Sequence, residues 1–173
     1  YELLRPLDLY TAWYSRALAL RTAPTLMRAI PLLAAAALLL GLGGPDSWPA
    51  AIAFFIATIG TLLLSCAITA LLTISLLWTI SGQGLTQFIS PAVMIFSGNI
   101  VPLPFYPDWA QPVLSFMPFR GLADTPFRLY LGDIPPGDLL LHLGHQLIWV
   151  TVLILLGRWI LSRGLRRMVI QGG

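Results

Sequence analysis

Thr61, Ser65, Thr69 and Thr73 fall at every fourth position of an apolar stretch. On an α-helix a step of four drifts by about 40°, so the hydroxyls form one slowly winding stripe. Two roles are open to it. It lines a path for a substrate through lipid, or it packs, since small hydroxyl residues let helices approach and hydrogen-bond across the contact or back to their own helix. His142 and His145 stand three apart, with Asp138 four before His142. On a helix the three share a face, which suits a metal or a proton relay. No third strong ligand at metal spacing accompanies them. They also open an apolar stretch, where water reaches polar side chains. The single cysteine, Cys66, lies deep in an apolar run and reads as a small packing residue.

Some absences narrow the chemistry. All 10 basic residues are Arg, so the chain lacks the lysine with which a P-loop holds ATP. "ISGQG" at 80–84 has the wrong order for an ATPase signature motif. There is no nucleophile elbow, no HExxH and no pair of carboxylates within an apolar stretch. No catalytic residue, metal site or cofactor is therefore expected on this chain. No basic stripe lies in a polar context, which argues against nucleic-acid binding.

The elements that position these residues belong to a lipid bilayer. The chain is 57% hydrophobic and 10% charged, with mean hydropathy +0.82, whereas soluble domains carry about 25% charged residues. Residues 47–107 form an uncharged run of 61. One span takes about 20 residues, so this run folds back, with the turn at Ser81-Gly82-Gln83-Gly84. The expected fold is an all-α integral membrane domain over 1–173, with spans at 26–43, 49–80, 84–101 and 138–162. A cytoplasmic amphipathic helix at 1–28 precedes them and a tail at 163–173 follows. In 1–28, Pro6 suits a first helical turn, and Pro24 ends or kinks the helix. Arg16 and Arg21 sit among Leu, Trp and Tyr, which fits an interfacial helix or a docking element for a partner.

Arginine placement tests the count. Arg5, Arg16, Arg21 and Arg28 precede the first span's apolar core. Arg158, Arg163, Arg166 and Arg167 close the chain, and only Arg120 and Arg128 lie between. Basic residues favour the cytoplasmic side, so four spans with both ends cytoplasmic are expected. Trp48, Trp78 and Trp159 then fall near interfaces, as aromatic belts do.

Between the last two spans, 102–137 is rich in proline and aromatic residues. Prolines break helices, and broken backbone at membrane depth survives only when buried in protein or lining a cavity. Phe105, Tyr106, Trp109, Phe116 and Phe119 are expected to pack against span ends. Arg120 and Arg128 suit pairing with Asp124 or Asp133, or contact with lipid headgroups.

"RPLDLY", "GNIVPLPFYPDW", "PFRGLADTPFRLYLG" and "RGLRRMVIQGG" together resemble the ABC-2-type permeases. More narrowly, they resemble the bacterial six-span ABC exporter permeases, some grouped with viologen and drug exporters. The likeness runs over essentially the whole chain. It implies that the four spans are the last four of six, and a chain that starts at Tyr1 is expected to be part of a longer protein. It implies ATP and Mg bound at two partner ABC ATPase subunits, and a second permease copy or a sister permease. It makes Leu4, Arg5, Pro6, Leu7 and Asp8 the ATPase-docking candidates. It also implies short re-entrant helices, "DWAQPVLSFM" and "LADTPFRLYL", closing the outer exit in the bacterial inner membrane. Pro104, Phe105, Tyr106, Pro107, Trp109, Pro118 and Phe119 are the gate candidates. From the residues alone, a membrane assembly or anchoring protein and a secondary-transporter fragment stay open.

Overall fold

The computed structural model describes residues 8–39, 41, 43–76 and 82–167 and, within these, all side chains but those at 30, 82–86, 166 and 167. Every regular element among the described residues is helical. Three helices are long and apolar enough to cross a membrane: α1 (Leu9–Leu39), α2 (Trp48–Ser75) and α6 (Leu139–Arg167). A shorter helix, α3 (Gly82–Phe96), follows α2, and its apolar part is Gln87–Phe96. Between α3 and α6 lie two short helices, α4 (Gln111–Phe116) and α5 (Asp124–Leu131), linked by 3₁₀ turns at Leu103–Phe105, Pro118–Leu122 and Pro136–Asp138. They fall within the two stretches expected to be helical there.

The boundaries reflect local chemistry. Ser47 caps α2 from an extended conformation, its hydroxyl accepting from Ala50 N at 3.3 Å, and Pro49 occupies the first turn, where its missing donor costs nothing. α3 stops at Ser97-Gly98, where Gly98 takes φ +82, a conformation that favours glycine. At about 22 Å, α3 is shorter than a hydrocarbon core of about 30 Å. Its first turn contains Gly82 and Gly84, so 82–84 of the turn expected at 81–84 are helical, and Ser81 lies outside the described residues.

α1 departs from expectation. The interfacial helix and the first span are one helix of 31 residues that runs through Pro24 and Pro31. Pro24 does not end it. A proline inside a helix forfeits one backbone bond, and here the first half is clamped. Tyr10 is buried against Ala70 and Ile74 of α2 and Leu161 of α6, and the Tyr14 hydroxyl donates to Leu63 O at 3.0 Å. The second half leaves Leu26, Met27, Leu32, Leu33, Leu38 and Leu39 exposed. α6 also outruns its expected end: Arg163 and Arg166, placed in a tail, are helical.

α2 is the element on which the rest packs. Its buried face reads Ala50, Ala53, Ala57, Gly60, Leu64, Ala67, Ala70 and Ile74, spaced by three and four. Small residues at that spacing let helices come close, which is how helices associate where lipid offers no hydrophobic drive. α5 and α6 lie on this face. Ala53 and Ala57 pack with Leu129 and Ile134, and Leu64 and Ala67 pack with Val150 and Leu153.

Candidate functional site

The hydroxyl stripe of α2 divides its work along the helix. The Thr61 hydroxyl donates to Gly121 O at 2.7 Å, reaching into the Pro118–Leu122 turn. The Ser65 and Thr69 hydroxyls accept from Nη1 and Nη2 of Arg21 on α1. Thr69 also donates to Ser65 O at 2.9 Å, and Thr73 to Thr69 O at 2.9 Å. Helix joining and back-bonding thus account for all four. The Arg21 contact adds something that spacing did not show, an exposed guanidinium joining α1 to α2. It lines an open cleft of about 180 Å³ with Ser65, Thr69, Ser90, Ile89 and Val93, between α1, α2 and α3. Ser65 lies 17 residues beyond Trp48, about 26 Å along the axis. Counted from that end, Arg21 sits near the far edge of a core about 30 Å thick, where a long cationic side chain reaches water.

Gln146 of α6, unremarked in the sequence, is the centre of a second network. It is fully buried. Its Nε2 donates to Gly121 O at 2.8 Å, with Ala57 O at 3.2 Å and Thr61 Oγ1 at 3.3 Å also in reach. One amide therefore joins α2, α6 and the 118–122 turn. Two glycines make the room. A side chain at Gly60 would strike Gln146 Oε1, and one at Gly121 would strike Gln146 Cγ and Leu64. The readable signal was a lone amide in an apolar run; its partners lie 25 and more residues away in sequence.

The outer segment is held to α3 and α6 by its aromatic residues, but not by all of them. Tyr106 donates its hydroxyl to Ile95 O at 3.0 Å. Phe119 stacks on Phe96, with centroids 6.2 Å apart. Phe116 meets Trp149 edge-on at 5.6 Å, and its carbonyl takes the Trp149 indole at 2.8 Å and contacts His145 Nε2 at 3.0 Å. Phe105 and Trp109 depart from expectation, at 79% and 80% exposed within the chain, and Phe116 is 72% exposed despite its contact with Trp149. Pro104 and Pro107 are exposed, and Pro118 is half-buried. Among the described residues no group of three His, Cys, Asp or Glu side chains could hold a metal ion.

Arg120, Asp124 and Arg128 form a charged cluster on the same segment. Asp124 is 5% exposed. Its Oδ2 lies 3.4 Å from Arg120 Nε and 3.8 Å from Arg128 Nη1, so both arginines choose Asp124 over Asp133. Its backbone N–H donates to Ser97 O at 3.1 Å, tying α5 to the end of α3. Burial pushes the Asp124 carboxyl above the ordinary carboxylate range, against the pull of Arg128 and Arg120.

Of the docking candidates, Leu4, Arg5, Pro6 and Leu7 lie outside the described residues. Asp8 caps α1, with Tyr10 N at 3.2 Å from its Oδ1 and Thr11 Oγ1 donating to Oδ2 at 2.6 Å. It also pairs with Arg158 Nη2 of α6 at 2.8 Å. The Thr11 hydroxyl and Arg158 hold its carboxyl below the ordinary range against mild burial. Arg158 lies over the Tyr10 ring, 5.6 Å from its centroid. Cys66 is a buried free thiol.

A family model described as "ABC-2 family transporter protein" matches residues 1–172. No curated protein and no solved structure matches the chain.

Proposed function

The chain belongs to the ABC-2 transporter family, and from that premise we propose that it is the permease subunit of an ABC exporter driven by partner ATPases. It is a multi-pass membrane protein of a family whose members are membrane subunits. The finer reading is as follows. Two ATPase subunits bind ATP and Mg and hydrolyse the nucleotide, and a second permease copy or a sister permease completes the pathway. Both ends of this chain face the cytoplasm of a bacterial inner membrane. The observation that carries the reading is the extent of the family match, which takes in the N-terminal "RPLDLY", the spans and the outer segment alike.

Leu4–Asp8 meets the ATPase in this reading. The Asp8 contacts to Thr11 and Arg158 support a fixed start for α1, which a docking element needs. The segment between α3 and α6 closes the outer exit. Support comes from Tyr106 and Phe119, which contact Ile95 and Phe96 at the end of α3, and from Phe116 of α4, which meets Trp149 of α6. The path between them passes the hydroxyl stripe and Arg21.

The test is a search of the neighbouring reading frames for an ATPase with Walker motifs, and reconstitution of the full-length protein with that ATPase. ATP hydrolysis should rise when the two are combined in vesicles, and Arg5→Glu should weaken co-purification or uncouple hydrolysis from transport. Failure of the wild-type protein to bind or stimulate that ATPase would sink the permease reading. Normal coupling in the Arg5→Glu variant would remove only the docking role.

A further inference from the structure

The Arg120–Asp124–Arg128 cluster has more cation than its carboxylate can use. Both guanidiniums bear on one oxygen, Asp124 Oδ2, at 3.4 and 3.8 Å. A direct charge-assisted hydrogen bond of this kind runs to about 2.7–2.9 Å. Neither Arg120 Nε nor Arg128 Nε has a hydrogen-bond partner, and each guanidinium carries five donors. One formal positive charge is left over.

That charge faces an open cleft of about 190 Å³, lined by Leu103, Pro104, Gln111 and Ser115 as well as the cluster. At about 30 Å³ per molecule, it holds roughly six waters, room for a hydrated oxyanion. The arginine side chains are 21% and 29% exposed. They are shielded enough to escape full screening and open enough to be reached. The cleft also lies at one end of the bundle. Asp46, just before α2, donates its N–H to Tyr130 O of α5 at 3.2 Å, and the nearby Trp48, Phe105 and Trp109 are exposed. That pattern marks the headgroup level of a membrane.

We propose that Arg120 and Arg128 form an oxyanion-binding site for a phosphate group at the membrane surface, with Asp124 as its built-in counter-ion. The group comes from a lipid headgroup or from a phosphate-bearing solute, and both present oxygens that guanidinium forks match. Asp124 offsets the repulsion between the two arginines when the cleft is empty. It also weakens the site, which gives the proposal a test of opposite signs.

The full-length protein is held in maltoside micelles, whose headgroups carry no phosphate, and titrated with inorganic phosphate at fixed ionic strength, following the unfolding midpoint. In a second arm the micelles are doped with phosphatidylglycerol, and retained lipid is counted by native mass spectrometry. Saturable stabilisation in the first arm alone identifies a solute group; retention in the second arm alone identifies a headgroup. Arg128→Gln should lower affinity in the responding arm about tenfold or more, as loss of a hydrogen bond to a charged group does. Asp124→Asn keeps the shape, removes the internal anion and should raise affinity. Arg120→Gln should behave like Arg128→Gln, and if it fails to fold the other two variants decide. No response in either arm overturns the proposal. A response unchanged in Arg128→Gln and Asp124→Asn overturns it too, as binding of an adventitious ion only. The readout is binding, so the outcome does not depend on whether the chain transports anything.

Discussion

Replacing Gly60 with alanine would set a methyl carbon 2.1 Å from Gln146 Oε1 and 2.8 Å from its Cδ, where ordinary contact begins near 3.4 Å. The amide would have to withdraw by more than an ångström, and it has nowhere to go, being fully buried. Withdrawal breaks its bonds to Gly121 O and Ala57 O. Interhelical hydrogen bonds in membranes average about 0.6 kcal/mol and reach about 1.7, so two are worth about 1–2 kcal/mol. Overpacking adds about 1–3 kcal/mol. Gly60→Ala should therefore destabilise by about 2–5 kcal/mol. Gln146→Ala should cost a similar amount from lost bonds and a cavity, about 2–4 kcal/mol. It strands no carbonyl in the turn, because Thr61 still donates to Gly121 O. The decisive case is the double variant. All three atoms nearest the new methyl belong to Gln146, so once that side chain is gone Gly60→Ala should be nearly free. The double variant should then match Gln146→Ala alone, a departure from additivity of about 2 kcal/mol or more. Reversible unfolding in mixed micelles, followed by tryptophan fluorescence, measures all four corners. Additive losses would show that Gln146 does not lie against Gly60 and would refute the three-way junction.

Four further outcomes are expected. In a Cys66→Ala background, cysteines at 47 and 133 should label from outside and those at 84 and 171 from the cytoplasm; labelling of 133 and 171 from one side would refute the four-span topology. Phe105→Ser and Trp109→Ser should leave unfolding within about 0.5 kcal/mol of wild type, as exposed sites do. Phe119→Ser should cost about 0.5–1.5 kcal/mol through its lost ring pair and raise leak in reconstituted vesicles; a tight seal in that variant would count against a gate. Asp8→Asn should cost at most about 1 kcal/mol, the range of exposed ion pairs. Because the Asp8 carboxyl is held low by Thr11 and Arg158, its contribution should stand above the ordinary carboxylate range and fade as pH falls through the lowered value, and a pH series of Asp8→Asn against wild type measures this.

The long apolar helices were legible because lipid demands continuous apolar length and leaves few alternatives. The two short helices between α3 and α6 were legible through the family resemblance; the prolines alone signalled only broken backbone. What was not legible came from contacts distant in sequence. Gln146 and Gly121 stand 25 residues apart, and Arg21 and Ser65 stand 44 apart, so neither pair leaves a periodic trace. Pro24 misled because its local cost was weighed without Tyr10 and Tyr14, whose packing clamps the half of the helix that precedes it. The full exposure of Phe105 and Trp109 was missed for a related reason: an aromatic residue between prolines signals burial somewhere, but not within which chain.

α6 is gripped twice. Near its start Gln146 holds the outer turn, and near its end Arg158 holds Asp8. The twelve helical steps from Gln146 to Arg158 make a rod of about 18 Å, too short to bend appreciably. The start of α1 and the 118–122 turn are therefore attached to one short, stiff element, with no loop between the two points of attachment.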